Sequence, residues 1–372
     1  MEFVSPAQSI FAKNLKDISL ATSLDTLITV GLSGGPLTRE ETLSFTLTPV
    51  DGVIVIKVSE LARRLLTRYE ATVDVIVPEH PYDYGYVSTG FPTLTISASN
   101  SSGQCTWSTP VTVGGYGDNE ITDEAAFFRK NFLTFRPQEA TTAMGLKEEL
   151  TFFNVEQVTR AITARLYFRK ELPYEVVLVR AGTSPFMFRI DVSPAAIKAV
   201  ADYYGYTDEL VAYDIFGIEG GVTTPETDIP FAQRFVLKAP SRKHTSFFFQ
   251  NSLGAFDTVT ATGQRTSLSE GEASLFTSGR REYTLDTGLS ESFEVNTGYI
   301  RSRAEKYLWD EFLLSPYRWL LLPDGTHREI VIDDFDASYT FSQLSSYNFT
   351  YRLSTPEPGH ILPRTTLNDY IS

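Results

Sequence analysis

Short runs in which β-branched or aromatic residues alternate with polar ones recur along the chain. Each is bounded by Gly, Pro or Asp, the pattern of a strand ending in a turn. The first such runs are Thr26–Val30, Thr42–Pro49 and Val53–Val58. The period then changes. In Glu60–Tyr69, residues Leu61, Leu65, Leu66 and Tyr69 fall three and four apart, which predicts a helix with one apolar face. Ser59 precedes it as a candidate N-cap, since a hydroxyl there can accept from an orphan backbone N–H. A further strand is predicted at Ala71–Pro78.

The same order recurs later. Phe186–Val192 reads as a strand, with Phe186, Phe188, Ile190 and Val192 on one face. Ser193 is again the candidate N-cap, and Pro194 opens a predicted helix, Pro194–Tyr204, where its missing N–H costs nothing. Gly205 is placed to end the helix, and Glu209–Phe216 is the next strand. The Val58-Ser59 and Val192-Ser193 junctions are 134 residues apart. A diverged duplication of one domain explains this, and chance recurrence of a common strand–cap–helix unit explains it as well.

From Ser241 onward, strands are predicted at Ser246–Asn251, Phe256–Thr262, Glu282–Leu285, Ser292–Asn296, Trp319–Leu322, Arg328–Ile332, Ala337–Phe341 and Ser346–Leu353. One amphipathic helix fits Ala304–Leu314, with Tyr307, Phe312 and Leu313 inward and Lys306, Asp310 and Glu311 outward. Gly114–Asp118 and Gly220–Pro230 read as linkers, and Asp123–Glu139 as an irregular or helical connector. The expected fold is mainly β: tandem antiparallel β-sandwich or barrel-like domains with a few short helices, at residues 1–120, 121–240 and 241–372, the first two related.

Composition narrows the function. The net charge of −14 disfavours a nucleic-acid binder, which needs a basic face, and an electrostatic membrane anchor. No run of apolar residues is long enough to span a membrane, and no apolar stretch near the start suggests a secretory signal. One cysteine, Cys105, excludes an intrachain disulfide. The four histidines are far apart, so no Cys/His metal spacing exists. No cofactor or metal is expected.

The candidates for chemistry are weak. Gly31-Leu32-Ser33-Gly34-Gly35 matches a nucleophile elbow literally, but a strand rather than a helix follows it, which favours a hairpin turn. Asp333, Asp334 and Asp336 are dense enough to attract Ca²⁺, yet lack a calcium loop's glycine and terminal Glu, which favours a solvated turn. Gly114-Gly115-Tyr116-Gly117 lacks the spacing of a phosphate cradle. A pair of glycosidase carboxylates cannot be read from spacing along the chain. The clusters Tyr82-Asp83-Tyr84-Gly85-Tyr86 and Tyr203-Tyr204-Gly205-Tyr206 suit either sugar stacking or loop packing. No catalytic residue is assigned, and no enzymatic activity is expected.

The most distinctive run is Phe247–Gly263, FFFQNSLGAFDTVTATG. It reads as strand, turn, strand, with Asn251 and Asp257 placed to tie the turn and Gly254 supplying a positive φ. This run resembles a motif of virion structural proteins from Bacteroidetes phages and prophages, Asn-x-Leu-Gly-Gly/Ala-Phe/Trp-Asp after an aromatic strand. The C-terminal pattern is similar too: Leu314–Leu322, then Glu329–Asp334 and a closing strand Tyr347–Leu353. The resemblance covers about 246–353. It implies a non-enzymatic virion component, a tail or baseplate-like subunit made in the bacterial host cytoplasm. Its partners would be other virion proteins, with homo-oligomerisation in a ring. The alternative is a carbohydrate-binding or adhesin protein that recognises host-surface glycans.

Trp309–Trp319 concentrates aromatic and apolar residues within eleven positions. Trp309, Phe312, Tyr317 and Trp319 are therefore the candidate assembly contacts, since exposed aromatic patches mark partner surfaces. The alternative is ordinary core.

Overall fold

The alternation along the strands resolves, in the computed structural model, into sheets packed in layers. The structure describes residues 1–6, 8–34, 41–66, 75–76, 91–112, 114–117, 121–154, 160–181, 186–219, 232–238, 244–278, 281–322, 326–340 and 345–354. Its contacts divide the chain into two units: Met1–Pro240 with Gln250–Asp257, and Ser241–Phe249 with Thr258–Ser372. The protein is mainly β, with antiparallel sheets and four helices among the described residues, and no sheet closes into a barrel.

The first unit contains two hydrophobic cores. The elements around the first are β1 (Phe3–Val4), β2 (Ile18–Ala21), β3 (Thr26–Ser33), β4 (Glu41–Leu47), β5 (Val53–Ile56), α1 (Val58–Leu66), β6 (Val75–Ile76), β7 (Thr93–Asn100) and β8 (Gly103–Pro110). Apart from β6, which joins a sheet of the second core, the strands form one sheet in the order β1-β2-β5 and another in the order β4-β3-β7-β8. Ile18, Leu20, Ile54 and Ile56 of one sheet meet Ile28, Val30, Leu94 and Ile96 of the other, with Ala62 and Leu65 of α1 in the same cluster. Alternate residues on each strand are buried, as the period of two requires.

The elements around the second core are α2 (Glu124–Lys130), β9 (Glu139–Thr142), β10 (Glu149–Asn154), β11 (Arg160–Phe168), β12 (Tyr174–Ala181), β13 (Phe186–Asp191), α3 (Pro194–Tyr203), β14 (Leu210–Glu219) and β15 (Gln233–Leu237). The large sheet runs β12-β11-β14-β15-β9 and the small one β10-β13-β6. The order β12-β11-β14-β15 repeats β4-β3-β7-β8, and β10-β13 repeats β2-β5, each pair antiparallel in both halves. Even the parallel pairing of β9 with β15 has a counterpart, the parallel bridge between Phe11 and Thr112. The helices α1 and α3 follow β5 and β13.

Ser193 stands at the N-cap of α3 as expected, whereas Ser59 lies inside α1. α1 already begins at Val58, and the Ser59 hydroxyl donates to the Lys13 carbonyl at 3.3 Å. Ser193 makes no side-chain cap bond; its hydroxyl and N–H both turn to Asp191. The connector contains α2, capped by Asp123, whose carboxylate accepts from the Ala126 N–H at 3.0 Å. Gly114–Gly117 is a packed segment rather than a linker, because the Gly114 carbonyl accepts from the Lys13 N–H at 3.1 Å and buried Gly115 donates to the Ser252 carbonyl. Gly220–Pro230 and Tyr82, Tyr84 and Tyr86 lie outside the described residues. Of the predicted strand Ala71–Pro78, the described part is β6.

The second unit is built on one sheet. Its elements are β16 (Thr245–Gln250), β17 (Phe256–Ala261), β18 (Arg265–Ser278), β19 (Arg281–Asn296), α4 (Arg303–Leu314), β20 (Arg318–Leu321), β21 (His327–Asp336) and β22 (Asn348–Leu353). The order is β17-β16-β20-β21-β22-β19-β18. The segments predicted at Glu282–Leu285 and Ser292–Asn296 are one strand, β19, and its partner β18 was not expected at all. The Ser- and Glu-rich sequence of β18 carries no apolar alternation, so pairing with β19 rather than burial pattern defines it. Residues 337–340 are not a strand, because β21 runs on to Asp336 and pairs there with Asn348. The acidic cluster is therefore the end of a strand rather than a turn. Asp333 pairs with Arg352 at 2.9 Å, and no group of three metal-binding side chains occurs among the described residues.

Candidate functional site

Residues 250–257 of the run that carries the resemblance fold as a fastener within the first unit. Gly254 takes a φ of 79°, and the chain turns between the Asn251 N–H and the Ala255 carbonyl, 2.8 Å apart. Asn251, 4% exposed, ties the turn from inside: its Oδ1 accepts from the Leu253 and Ala255 N–H groups, both at 3.1 Å. Its Nδ2 donates to the Leu133 carbonyl at 3.0 Å and to Asp257 Oδ2 at 2.8 Å. Asp257, fully buried, holds the turn only through the Asn251 side chain and not through its backbone. Its carboxylate accepts from the Thr134 hydroxyl at 2.5 Å, the Phe135 N–H at 3.1 Å and Arg136 at 2.9 Å.

Behind Asp257 lies a buried charge network. Arg136 also donates to Glu148 Oε2 at 2.9 Å and to the Glu149 carbonyl at 2.9 Å. Glu148 accepts from the Thr142 hydroxyl at 3.0 Å. Burial raises the Glu148 pKa above the usual carboxylate range, against the opposing pull of Arg136. Glu149 pairs with Arg189, whose guanidinium sits 4.2 Å from the Phe256 ring centroid. Sequence reasoning missed Arg136, Glu148, Glu149 and Arg189. The one signal was charge beside apolar strands, as in Glu148-Glu149 before Leu150–Phe153, and exposed charges look the same.

An aromatic floor completes the fastener. Leu253 and Ala255 share a cluster with Phe11, Phe91, Phe128, Leu133 and Phe153. The glycines at 114 and 115 permit close backbone approach. A Cβ on Gly114 would lie 2.4 Å from the Leu253 carbonyl carbon, and Gly114 has a φ of 108°. The Gly115 N–H donates to the Ser252 carbonyl at 2.8 Å. Tyr116 donates to Glu124 at 2.6 Å, and burial with that carboxylate pushes its pKa up to about 12. Every polar group named here faces another inside the protein, so the arrangement holds chain segments together.

The other candidates are resolved locally. Ser33 ends β3, whose Leu32 pairs antiparallel with Glu41 of β4, and residues 35–40 lie outside the described residues. Tyr204 and Tyr206 pack on the second core beside Tyr174 and Phe168; Tyr206 stacks on Phe168 at 5.2 Å. Tyr203 is half exposed and perpendicular to Tyr204, so these rings do not form a coplanar sugar platform.

In the second unit, Ser302 caps α4 by accepting from the Glu305 N–H at 3.1 Å. Leu308, Trp309, Phe312 and Leu313 are buried. Phe312 stands 5.1 Å from Phe247 and 5.5 Å from Phe349, and Trp309 lies 5.6 Å from Phe312. Trp309 and Phe312 are thus core residues of their own unit. Tyr317 and Trp319 are half-buried, Trp319 being 5.8 Å from Phe248. Tyr307, expected inward, is on the flank of α4 beside Arg303 and Lys306, because the buried stripe is 308, 309, 312 and 313. Leu314 is 74% exposed.

No protein-family model matches the chain, and no curated protein matches it. Among solved structures, it is similar to a chain from the virion of a native gene transfer agent particle. The two share 16% identity, the match covers 32% of this chain and 95% of that one, and the TM-score is 0.22. So slight a likeness carries no weight below.

Proposed function

We propose that the protein is a non-enzymatic structural component of a virion, a tail or baseplate-like subunit that works through protein–protein contacts. The observation that carries the reading is the fate of Asn251–Asp257. The run that resembles virion proteins is a buried fastener, with its polar side chains committed to backbone and to Arg136. A motif used this way serves architecture. The aromatic load and the net charge of −14 suit a soluble subunit with broad partner surfaces. On the second unit, Tyr317 and Trp319, with exposed Tyr307 and Leu314 nearby in sequence, supply apolar contact area. Mass spectrometry of particles purified from cultures of the host tests the reading. The chain is expected at a fixed stoichiometry to other particle proteins, and its absence from particles overturns the proposal. Release of reducing ends from a polysaccharide array would overturn the non-enzymatic part.

A further inference from the structure

The two halves of the first unit differ at one edge. In the second half, β13 pairs on one side with β10 and on the other with β6, which runs parallel to it, Val75 opposite Arg189 and Ile76 opposite Ile190. In the first half the matching strand is β5. The registers agree: Ser19 pairs with Val55 and Ile18 with Ile56, as Thr151 pairs with Arg189 and Leu150 with Ile190. Val55 and Ile56 therefore stand where Arg189 and Ile190 stand. Yet β5 ends its sheet, with no strand beyond it among the described residues.

A groove of about 670 Å³ opens at that edge. Its walls are Phe45 and Leu47 of β4, Val55 and Ile56 of β5, and Leu61 and Arg64 of α1. The Val53 N–H and carbonyl bond Val50, but past Val53 no strand pairs the outer edge of β5 among the described residues, and Val55 there is 59% exposed. An edge of this kind is a template for another strand. Leu43, Phe45 and Leu47 are only partly buried, whereas Val176, Leu178 and Val179 of the matching strand β12 are buried. Lys57, Arg63 and Arg64 border the groove against one acid, Glu60, in a chain of net charge −14.

We propose that the edge of β5 accepts a strand from another polypeptide: an extended, acidic segment with successive β-branched residues, laid parallel to β5 as β6 is laid along β13. Strand addition of this kind takes affinity from main-chain hydrogen bonds and specificity from alternate side-chain pockets. The chemistry of the occupant follows from β6, whose sequence neighbourhood is Ala71-Thr72-Val73-Asp74-Val75-Ile76-Val77-Pro78, and from the basic border. The corresponding connection of the second half, between α3 and β14, is only residues 204–209, too short to supply such a strand to a second copy. The proposal deepens the assembly reading by naming a partner, and its test uses the isolated chain, so its failure is separate from absence from particles.

The probe is a labelled peptide of residues 71–78, titrated into the full chain and followed by fluorescence anisotropy. Saturable binding is expected, weakened about tenfold or more by Val55→Lys and by Arg64→Glu. A peptide carrying Ile76→Pro should not bind, because proline removes a ladder N–H. Both protein substitutions are at exposed positions, and unchanged melting temperatures will show that they fold. No binding, or binding that neither substitution alters, overturns the proposal. Self-association that Val55→Lys abolishes, without peptide binding, also overturns it and makes a second copy the occupant.

Discussion

β5 and β13 occupy one place in one topology, yet their outward sides meet different surroundings. Val55 faces solvent, whereas Arg189 in the matching register is buried, paired with Glu149 and laid over Phe256. The second half has the Asn251–Asp257 turn and β6 beside the shared frame, and the polar Arg189 stands there where the first half has the aliphatic Val55. The inner positions stay apolar in both halves: Ile28, Val30 and Leu32 match Ile162, Ala164 and Leu166. The frame is specified by buried alternation, and the differences lie on the faces that the frame leaves open.

The largest effect expected from breaking this contrast is at Asp257. Replacing it with Ala leaves the Arg136 guanidinium, 2% exposed, with one carboxylate instead of two. Loss of one partner from a buried pair costs about 3–5 kcal/mol. Urea denaturation of Asp257→Ala should show a loss of that size, and a loss near zero would mean the fastener contributes little. Gly114→Ala comes next. The added Cβ meets the Leu253 backbone at 2.4 Å and is strained by the positive φ, so about 1–3 kcal/mol is expected in the same assay.

The frame was legible in the sequence where one face is buried. Thr26–Val30, Val53–Val58 and Glu209–Phe216 predicted strands, and β3, β5 and β14 lie there. The helix after each Val-Ser junction was also readable from spacing. The strands β7, β8, β11 and β12 were not assigned, and β18 has no apolar alternation to read. The fastener was half legible. Asn251 and Gly254 act within their own turn, so local chemistry announced them. Asp257 acts on Thr134, Phe135 and Arg136, more than a hundred residues away, and no local pattern encodes that. The interface candidates divide for the same reason: the helical stripe that buries Trp309 and Phe312 is one residue out of phase with the one expected for Tyr307.

A smaller difference separates the helix starts. Tyr213 pairs across from Leu166 in β14, and Leu94 stands in its place in the first half. The Tyr213 hydroxyl donates to the Val192 carbonyl at 2.6 Å, and α3 begins only at Pro194; Leu94 offers no donor, and α1 begins at Val58. Tyr213→Phe removes a buried bond and should cost about 1–2 kcal/mol by thermal or urea unfolding. Leu94→Ile should leave the helix content at its wild-type value by circular dichroism.

Glu148→Gln sharpens the comparison through pH. Burial raises the folded-state pKa of Glu148, so the folded chain holds that proton more tightly than the unfolded chain does. The stability it contributes is fully present below the unfolded pKa and is lost as pH rises through the folded one. Glutamine does not titrate. The stability of wild type relative to Glu148→Gln should therefore fall as pH rises from the acid side toward neutrality, measured by urea midpoints across that range. A difference that grows with pH would mean that Arg136 and Thr142 outweigh burial at this carboxyl.

The smallest effect is expected at the partner of Arg189 in the other half. Val55 is 59% exposed and belongs to a strand at the edge of its sheet among the described residues. Thr keeps the β-branch and the strand preference while making the surface polar. Val55→Thr should therefore change the unfolding free energy by less than about 0.5 kcal/mol, the usual range for surface positions. Arg189→Met, at the same register, takes one of two cationic partners from buried Glu149, leaving Lys147, and should cost several-fold more. If Val55→Thr instead costs as much as Arg189→Met, the outer side of β5 is already covered in the isolated chain, and the contrast between the halves is gone. If the two differ as expected, the first half keeps an open edge that its own chain does not need for stability, as a surface held for a partner requires.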